Sequence, residues 1–190
     1  MTSTKRDAIL NCALTLFEQH GFRATGIDKI LAQCGCAKMT LYNHFTSKEE
    51  LILECVRLHD TRLRQWMIAE IEARAQAPSE RLLAVFDVAS KIVEQDSFNG
   101  CLFARAVSEF NGLQDPIREA AADNKRLLGN YLHSLCEAAR LENPTELSRS
   151  IHLLLEGAMA YAHVCDERAA PLAAKDTARR LIEQHASAGR

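Results

Sequence analysis

The apolar residues of this chain recur at the period of an α-helix along almost its whole length. In the first segment, Ile9, Ala13 and Phe17 follow one another at intervals of four and form one helix face. No segment alternates apolar and polar residues with the two-residue period of a half-buried strand. Only four prolines and eight glycines interrupt the 190 residues, so long helices can form. The sequence therefore predicts an all-α fold.

Turn and capping residues divide this pattern into about nine helices. Gly35 ends the second helix, and a Ser-Lys-Glu-Glu run at 47–50 has the spacing of a capping box that opens a long fourth helix. Proline follows a polar cap at positions 116 and 144 and so occupies a first helical position. The predicted helices cover about residues 5–19, 27–34, 38–45, 48–75, 80–95, 102–110, 116–140, 144–164 and 175–185, the last of them after Pro171.

Charge and composition argue against a secreted or membrane-spanning protein and leave a nucleic-acid partner open. The net charge is −2, and residues 1–64 carry a surplus of only two positive charges, so charge alone does not indicate a nucleic-acid partner. The N-terminal segment is amphipathic and carries Asp7, so no secretory signal is expected. No apolar run approaches the roughly 20 residues that span a bilayer. We expect a cytoplasmic protein whose seven cysteines are free thiols.

Residues 21–51 form the segment that indicates a function. Two short helical patterns flank a tight turn at Gly35, and apolar positions such as Ile30 and Leu41 hold their crossing. This arrangement predicts a helix-turn-helix, in which the second helix lies in the major groove of DNA and the first helix braces it. The polar side of the second helix would then contact phosphates and base edges. Its predicted exposed residues are Lys38, Met39, Thr40, Asn43 and His44.

The same segment resembles the TetR family of transcription regulators over roughly residues 5–60. The resemblance rests on Thr25, Ile30, Gly35, Lys38, Thr40, Leu41, Tyr42, Phe45, Ser47, Lys48, Glu49 and Leu51. It implies that Thr25, Tyr42 and Lys48 contact phosphates. It also implies that Lys38, Thr40, Asn43 and His44 face the groove. The alternative from another class is a purely structural helical hairpin in a protein that does not bind DNA.

Two residues depart from the family pattern. Ala37 stands where the family commonly has Ser, and Ala cannot cap the second helix with a side chain, at a cost of about 1 kcal/mol. Met39 stands where the family commonly has Gly, and we expect it to contact a sugar or a thymine methyl group. Both departures leave the base preference open.

The resemblance further implies two domains and three kinds of partner. Residues 1–47 would form the helix-turn-helix domain, and residues 48–190 a larger ligand-binding and dimerisation domain. A dimer would pair through the last two helices, about 145–186, and would bind palindromic double-stranded operator DNA, usually as a repressor. A small-molecule effector would release it. The alternative for the apolar helix near 145–164 is burial within one monomer.

A ligand pocket is expected among apolar residues with a few polar groups. The candidates are Trp66, Phe86, Cys101, Phe103, Phe110, Tyr131 and Met159. Cys101 follows a glycine at a predicted helix N-terminus, where the helix dipole favours a thiolate, so a thiol-based oxidant sensor of the same fold is the alternative. His133 and Cys136, or Cys34 and Cys36, do not complete a four-ligand metal set. No cofactor and no metal are expected, and the absence of catalytic motifs predicts that the chain is not an enzyme.

Overall fold

The computed structural model describes residues 4–187, and this part of the chain is entirely helical, as predicted. It contains nine α-helices and no strand in the described residues. The helices are α1 (Lys5–His20), α2 (Ile27–Cys34), α3 (Lys38–Tyr42), α4 (Lys48–Arg74), α5 (Pro78–Val93), α6 (Leu102–Glu109), α7 (Pro116–Ala138), α8 (Pro144–Cys165) and α9 (Ala170–Ser187). Between residues 4 and 187, no helix is long and apolar enough to cross a membrane.

The chain divides into two compact units, neither of which is continuous in sequence. Unit 1 comprises the residues up to Arg62 together with Cys101–Asn124. Unit 2 comprises Leu63–Gly100 and the residues from Lys125 onward. Unit 1 therefore contains α6 and the start of α7 in addition to the predicted helix-turn-helix. The functional boundary at residues 47 and 48 stays a prediction.

Most predicted helix limits lie within two residues of the structure, and three of the differences have a clear physical reason. The last helix begins at Ala170 rather than near residue 175, so Pro171 lies inside its first turn. Proline is tolerated there because the first N–H groups of a helix have no partner within the helix. Pro78 opens α5 for the same reason, two residues before the predicted start. The second helix of the helix-turn-helix ends at Tyr42 instead of residue 45.

The core of unit 1 contains an aromatic cluster that joins α1, the turn after it and the end of α6. Phe17 and Phe22 are fully buried, and their ring centroids lie 5.2 Å apart. Phe22 contacts Phe110 edge to face at 5.9 Å. Such ring pairs contribute about 0.5–1.5 kcal/mol beyond the area that they bury. The cluster therefore fixes the position of the chain where it leaves α1 towards α2.

The core of unit 2 lies among α5, α8 and α9 with the later turns of α7. Phe86, Leu132 and Ile151 are fully buried there. An ion pair at the edge of this core joins Lys175 of α9 to Asp87 of α5, with Nζ 2.6 Å from Oδ1. Packing of these helices accounts for the burial of the long apolar face predicted for residues 144–164.

Gly21 closes α1 in a conformation that other residues avoid. Its φ of 83° and ψ of 169° lie in a region that is essentially restricted to glycine. A Cβ atom at this position would also lie 3.0 Å from the Oε1 of Glu109. Its backbone N–H donates to the Phe17 carbonyl at 2.9 Å and so ends the helix.

We expect Gly21→Ala to lower the free energy of unfolding by about 1–3 kcal/mol, because alanine strains this backbone. The matched control is Gly26→Ala, since Gly26 has an ordinary φ of −76° and a Cβ there would meet nothing within 4 Å. The control should change the free energy by less than about 1 kcal/mol. Urea unfolding measures both values, and equal losses in the two variants would contradict the assignment of strain to Gly21.

Candidate nucleic-acid interface

The turn between α2 and α3 depends on glycine. Gly35 adopts the left-handed conformation, with φ 62° and ψ 31°, and its N–H donates to the Leu31 carbonyl. The Cys36 N–H donates to the same carbonyl at 3.3 Å. Glycine ends helices in this conformation because it lacks a Cβ atom. The turn thus connects α2 to α3 through only three residues and sets the direction in which α3 begins.

The inner side of the helix-turn-helix is apolar and sealed. Ile30 of α2 and Leu41 of α3 are fully buried, and Phe45 is 1% exposed. The guanidinium of Arg6 lies 5.1 Å above the Phe45 ring and also bonds to Glu54 of α4 at 2.6 Å. These contacts join the segment just after α3 to α1 and, through Arg6, to α4. The burial of Ile30 and Leu41 agrees with the crossing that the sequence predicts.

The outer side of α3 is open to solvent and mostly polar. Lys38, Asn43 and His44 are exposed, and Thr40 is half-buried. Met39, a large apolar residue, is 72% exposed. Tyr42 is 39% exposed. The structure brings these predicted site residues together on one surface.

The helix that carries this surface is short, and its backbone hydrogen bonds show why. Ala37 caps it without a side-chain hydrogen bond, as its sequence predicts. At the other end, the His44 N–H donates to the Leu41 carbonyl at 3.0 Å, which is the tighter spacing of a 3₁₀ turn. Phe45 N–H donates to that same carbonyl at 2.9 Å. The predicted extension to residue 45 is therefore a tightened last turn instead of regular α-helix.

Thr25 differs from the other predicted DNA-binding residues. Its side chain is fully buried, and its hydroxyl donates to the Gly21 carbonyl at 2.7 Å. This bond closes the chain segment between α1 and α2, so the threonine shapes the turn. A phosphate contact by Thr25 stays a prediction, and the buried hydroxyl supports a structural role.

The N-terminus of α4 shows the predicted cap in a modified form. Ser47 Oγ accepts from the Glu50 N–H at 3.0 Å, as in a capping box. The Glu50 carboxylate bonds to Thr46 instead of Ser47, accepting from the hydroxyl at 2.6 Å and from the N–H at 2.5 Å. These bonds hold the pKa of Glu50 below its usual value. Their contribution to stability is present above the pKa of an unfolded glutamate and is lost as the pH falls.

Lys48 extends from the first turn of α4 towards the segment after α1. Its Nζ lies 3.4 Å from the carbonyl oxygen of Arg23. The Arg23 side chain is exposed, and its guanidinium donates to the Glu109 carbonyl at 2.6 Å. Lys48 therefore contacts the backbone of the segment between α1 and α2.

Two residues of α6 fasten the end of α1, and sequence reasoning missed both. The Glu109 carboxylate accepts from the N–H groups of Phe22 at 3.1 Å and Arg23 at 2.6 Å. Arg105 donates to the carbonyl of Phe17 at 3.3 Å and to that of Glu18 at 3.1 Å. The last carbonyls of a helix have no partner within it. We name the pair Arg105 and Glu109 the α6 clamp. Arg105 bonds to the last turn of α1, and Glu109 bonds to the segment that follows it.

The predicted pocket residues belong to both units. Phe86, in the core of unit 2, is fully buried, and Trp66, Tyr131 and Met159 are partly buried against that core. The other three lie in unit 1, where Phe103 is buried and Cys101 and Phe110 are half-buried. Within the part of the chain that the structure describes, no group of three potential metal ligands comes together.

Two family models match the chain on either side of residue 60. Residues 9–55 match the model for bacterial regulatory proteins of the tetR family. Residues 78–178, more than half of the chain, match the model for the tetracyclin repressor-like C-terminal domain. The chain belongs to the TetR family. It is a DNA-binding transcriptional regulator of the helix-turn-helix type, and the predictions of family, fold class and function are confirmed at this level.

Relatives of known sequence and structure agree with this membership. The HTH-type transcriptional regulator YjdC of Escherichia coli is 24% identical over 94% of this chain and 92% of its own length. The regulator Rv1255c of Mycobacterium tuberculosis is 32% identical over 78% of this chain and 69% of its own length. The crystal structure of SCO4454, a TetR-family regulator from Streptomyces coelicolor, superposes with a TM-score of 0.87 at 24% identity and covers 95% of both chains. A TetR regulator from Chloroflexus aurantiacus gives a TM-score of 0.82 at 23% identity, again covering 95% of both chains. These two likenesses establish the shared fold.

Proposed function

We propose that this TetR-family regulator is a repressor that binds a palindromic operator as a homodimer and leaves it when a small molecule binds. The observation that carries the proposal is the open polar side of α3, formed by exposed Lys38, Asn43 and His44 opposite a sealed apolar side. Side chains on such a helix can reach base edges in the major groove. Since the target is chromosomal DNA, the proposed compartment is the bacterial cytoplasm.

We assign the contacts of this surface by chemistry and position. Lys38 and Asn43 project from α3 and would read base edges, while Met39 supplies an apolar contact for a thymine methyl group. Lys48 and Tyr42 lie at the edge of the helix-turn-helix and would contact phosphates. Phosphate contacts position the protein and make its affinity depend on salt, whereas base contacts set the sequence preference.

This division predicts two kinds of mutant. Lys48→Ala should weaken binding to every operator sequence and reduce the slope of log affinity against log salt by about 1. Lys38→Ala and Asn43→Ala should instead relax the preference at particular base pairs, at about 1–3 kcal/mol each. Fluorescence anisotropy with the operator and its single-base variants, over a range of salt concentrations, measures both effects.

The matched control removes one positive charge from unit 2. Lys91 of α5 is exposed and paired with Glu70 at 3.0 Å, and Lys91→Ala should leave the affinity and its salt slope unchanged. If Lys48→Ala binds like the parent at all salt concentrations, the phosphate assignment is wrong. If no DNA sequence binds better than any other, the operator proposal itself fails.

The proposed dimer face lies on α8 and α9. Three large apolar side chains of α8 are open to solvent: Leu153 is 67%, Tyr161 57% and Val164 80% exposed. Between α8 and α9 an open apolar groove of about 690 Å³ is lined by Leu153, Leu154, Tyr161 and several alanines. Small residues such as these let helices approach closely, and apolar patches rimmed by polar residues mark protein interfaces. A second copy of the chain would cover this face.

The proposed effector site lies in unit 2. The hydroxyl oxygen of Tyr131 is buried and has no hydrogen-bond partner within the described residues. Burial is also the main cause that raises the pKa of Tyr131. Leaving such a group without a partner costs about 1–3 kcal/mol, which a ligand with a suitable donor or acceptor would recover. Trp66 and Met159, both partly buried against the same core, supply apolar surface for such a ligand.

Tyr131→Phe tests this assignment. Because the lost hydroxyl has no partner in the free protein, the free energy of unfolding should stay within about 0.5 kcal/mol of the parent value or rise slightly. A thermal-shift screen of small molecules on the parent would find the effector, since a ligand that prefers the folded state raises its apparent stability. The same ligand should raise the melting temperature of Tyr131→Phe less. Equal shifts in the two proteins would place the effector elsewhere.

A further inference from the structure

Two thiols meet at the turn of the helix-turn-helix. Cys34 is the last residue of α2, Cys36 lies two residues before α3, and Gly35 stands between them. Their Sγ atoms are 2.8 Å apart, and both side chains are half-buried, so small reagents can reach them. The left-handed conformation of Gly35 places both sulfur atoms on one side of the turn.

A third thiol lies close to this pair. Burial raises the pKa of Cys12 to about 11, and the neighbouring Cys34 thiol adds to the shift. The Cys12 Sγ donates to the Ile30 carbonyl at 3.9 Å. Burial likewise raises the pKa of Cys36 to about 11, again with a contribution from Cys34. Cys34 therefore has two neighbouring thiols, Cys12 and Cys36. The sulfur of Cys36 is in contact with that of Cys34.

We propose that Cys34 and Cys36 form a dithiol modification site, which an oxidant of the peroxide class closes to an intramolecular disulfide that weakens DNA binding. With hydrogen peroxide, the two thiols lose one hydrogen atom each, one S–S bond forms, the O–O bond breaks, and two water molecules leave. An external dithiol reverses the step by exchange. The effect on DNA rests on the function proposed above, whereas the chemistry of the thiols does not.

The sulfur atoms need to move only a short distance to form the disulfide, but the bond also changes the conformation of the turn. A disulfide requires an S–S distance of about 2.05 Å and a torsion near 90°. Cys34 would also give up its weak hydrogen bond to the Leu31 carbonyl, 3.8 Å away. The small ring that forms contains the whole backbone of Gly35, whose conformation sets the direction of α3. Closing the ring therefore acts on the residues that position the DNA-reading side chains.

The raised pKa of Cys36 makes the reaction of this thiol with peroxide depend on pH. The thiolate is the reactive form of cysteine, and at neutral pH Cys36 is almost entirely protonated. The rate of closure should therefore increase as the pH rises from 7 to 9, by up to about tenfold per pH unit where deprotonation of Cys36 limits it.

Peptide mapping of the full-length protein tests the chemistry without DNA. After peroxide treatment and alkylation with iodoacetamide, trypsin cleaves at Lys29 and Lys38 and releases residues 30–38 with both cysteines. The expected peptide is lighter than the reduced one by two hydrogen atoms and carries no alkyl group, and dithiothreitol restores alkylation. Cys12 is released in the separate peptide 7–23. A cross-linked pair of these two peptides, or full alkylation of residues 30–38, would overturn the assignment.

Operator binding tests the consequence. Oxidised parent protein should bind its operator at least tenfold more weakly than reduced protein, which corresponds to about 1.4 kcal/mol. Cys34→Ser and Cys36→Ser should each bind equally well before and after peroxide, whereas the control Cys101→Ser should respond like the parent. An operator affinity that is unchanged although the disulfide has formed would overturn the switch. Reduced protein that binds no operator would instead refute the proposed function, and the peptide result would still decide the modification site.

Discussion

Leu153→Asp is expected to convert the protein to a monomer and to weaken operator binding by a factor of about 100 or more, equivalent to about 2.7 kcal/mol. Leu153 lies on the outer side of α8 and is 67% exposed in the single chain. In the proposed dimer, an aspartate there would be buried without a partner, which is far more costly than the loss of one leucine contact. A monomer offers one recognition helix, and one such module buries too little surface for tight, specific binding.

Analytical ultracentrifugation measures the association, and fluorescence anisotropy measures the operator affinity. The matched control is Leu113→Asp, because Leu113 is 91% exposed in the segment before α7 and the change of charge is identical. The control should remain dimeric and bind the operator normally. A dimeric Leu153→Asp protein with full affinity would show that α8 does not form the interface. A monomeric protein that keeps full affinity would refute the requirement for two recognition helices.

Phe17→Ala is expected to lower the free energy of unfolding by about 3–5 kcal/mol. The Phe17 ring is fully buried, and it contacts Phe22, which in turn contacts Phe110. Removing the ring takes away its transfer free energy and leaves a cavity that the surrounding helices fill only in part. Since folded domains are stable by only about 5–15 kcal/mol, this is a large fraction of the total.

The matched control for Phe17→Ala lies on the same helix. Thr15 is exposed, and its hydroxyl donates to the carbonyl of Asn11 within α1. Thr15→Ala should change the free energy of unfolding by less than about 0.5 kcal/mol. Urea unfolding followed by circular dichroism compares both variants with the parent protein. A loss below 1 kcal/mol in Phe17→Ala would mean that the aromatic cluster repacks freely and does not fix the end of α1.

Local sequence signals account for most of the fold and for the exposure of most residues in and just after α3. Periodicity and capping residues locate the nine helices because each signal acts within a few residues, as the left-handed Gly35 at the end of α2 shows. They fail where a local rule allows two outcomes. The sequence predicts that Pro171 precedes the last helix, but proline fits equally well within a first turn. The pattern predicts the exposure of Lys38, Met39 and Asn43, because their apolar neighbours determine which side of α3 faces inward.

Tertiary partners far apart in the sequence were not predictable. Glu109 bonds to the backbone of Phe22 and Arg23 across more than eighty residues, and no local pattern encodes that pairing. Thr25 illustrates a second limit. The family resemblance suggests a phosphate contact for it, but the direction of one hydroxyl group depends on the carbonyl groups that the folded turn presents. Periodicity shows which residues are buried, and it does not show which segments meet.

The α6 clamp has a consequence for hybrid regulators assembled from two members of this family. A graft that exchanges only the residues before position 48 transplants the N–H groups of Phe22 and Arg23 without the carboxylate that accepts from them. Such a hybrid needs an acidic residue at position 109 and a basic residue at position 105. Otherwise residues 101–124 must be transferred together with the helix-turn-helix. Natural recombination between paralogous genes is subject to the same requirement. It should therefore preserve the match between the α6 clamp and the residues that it bonds to.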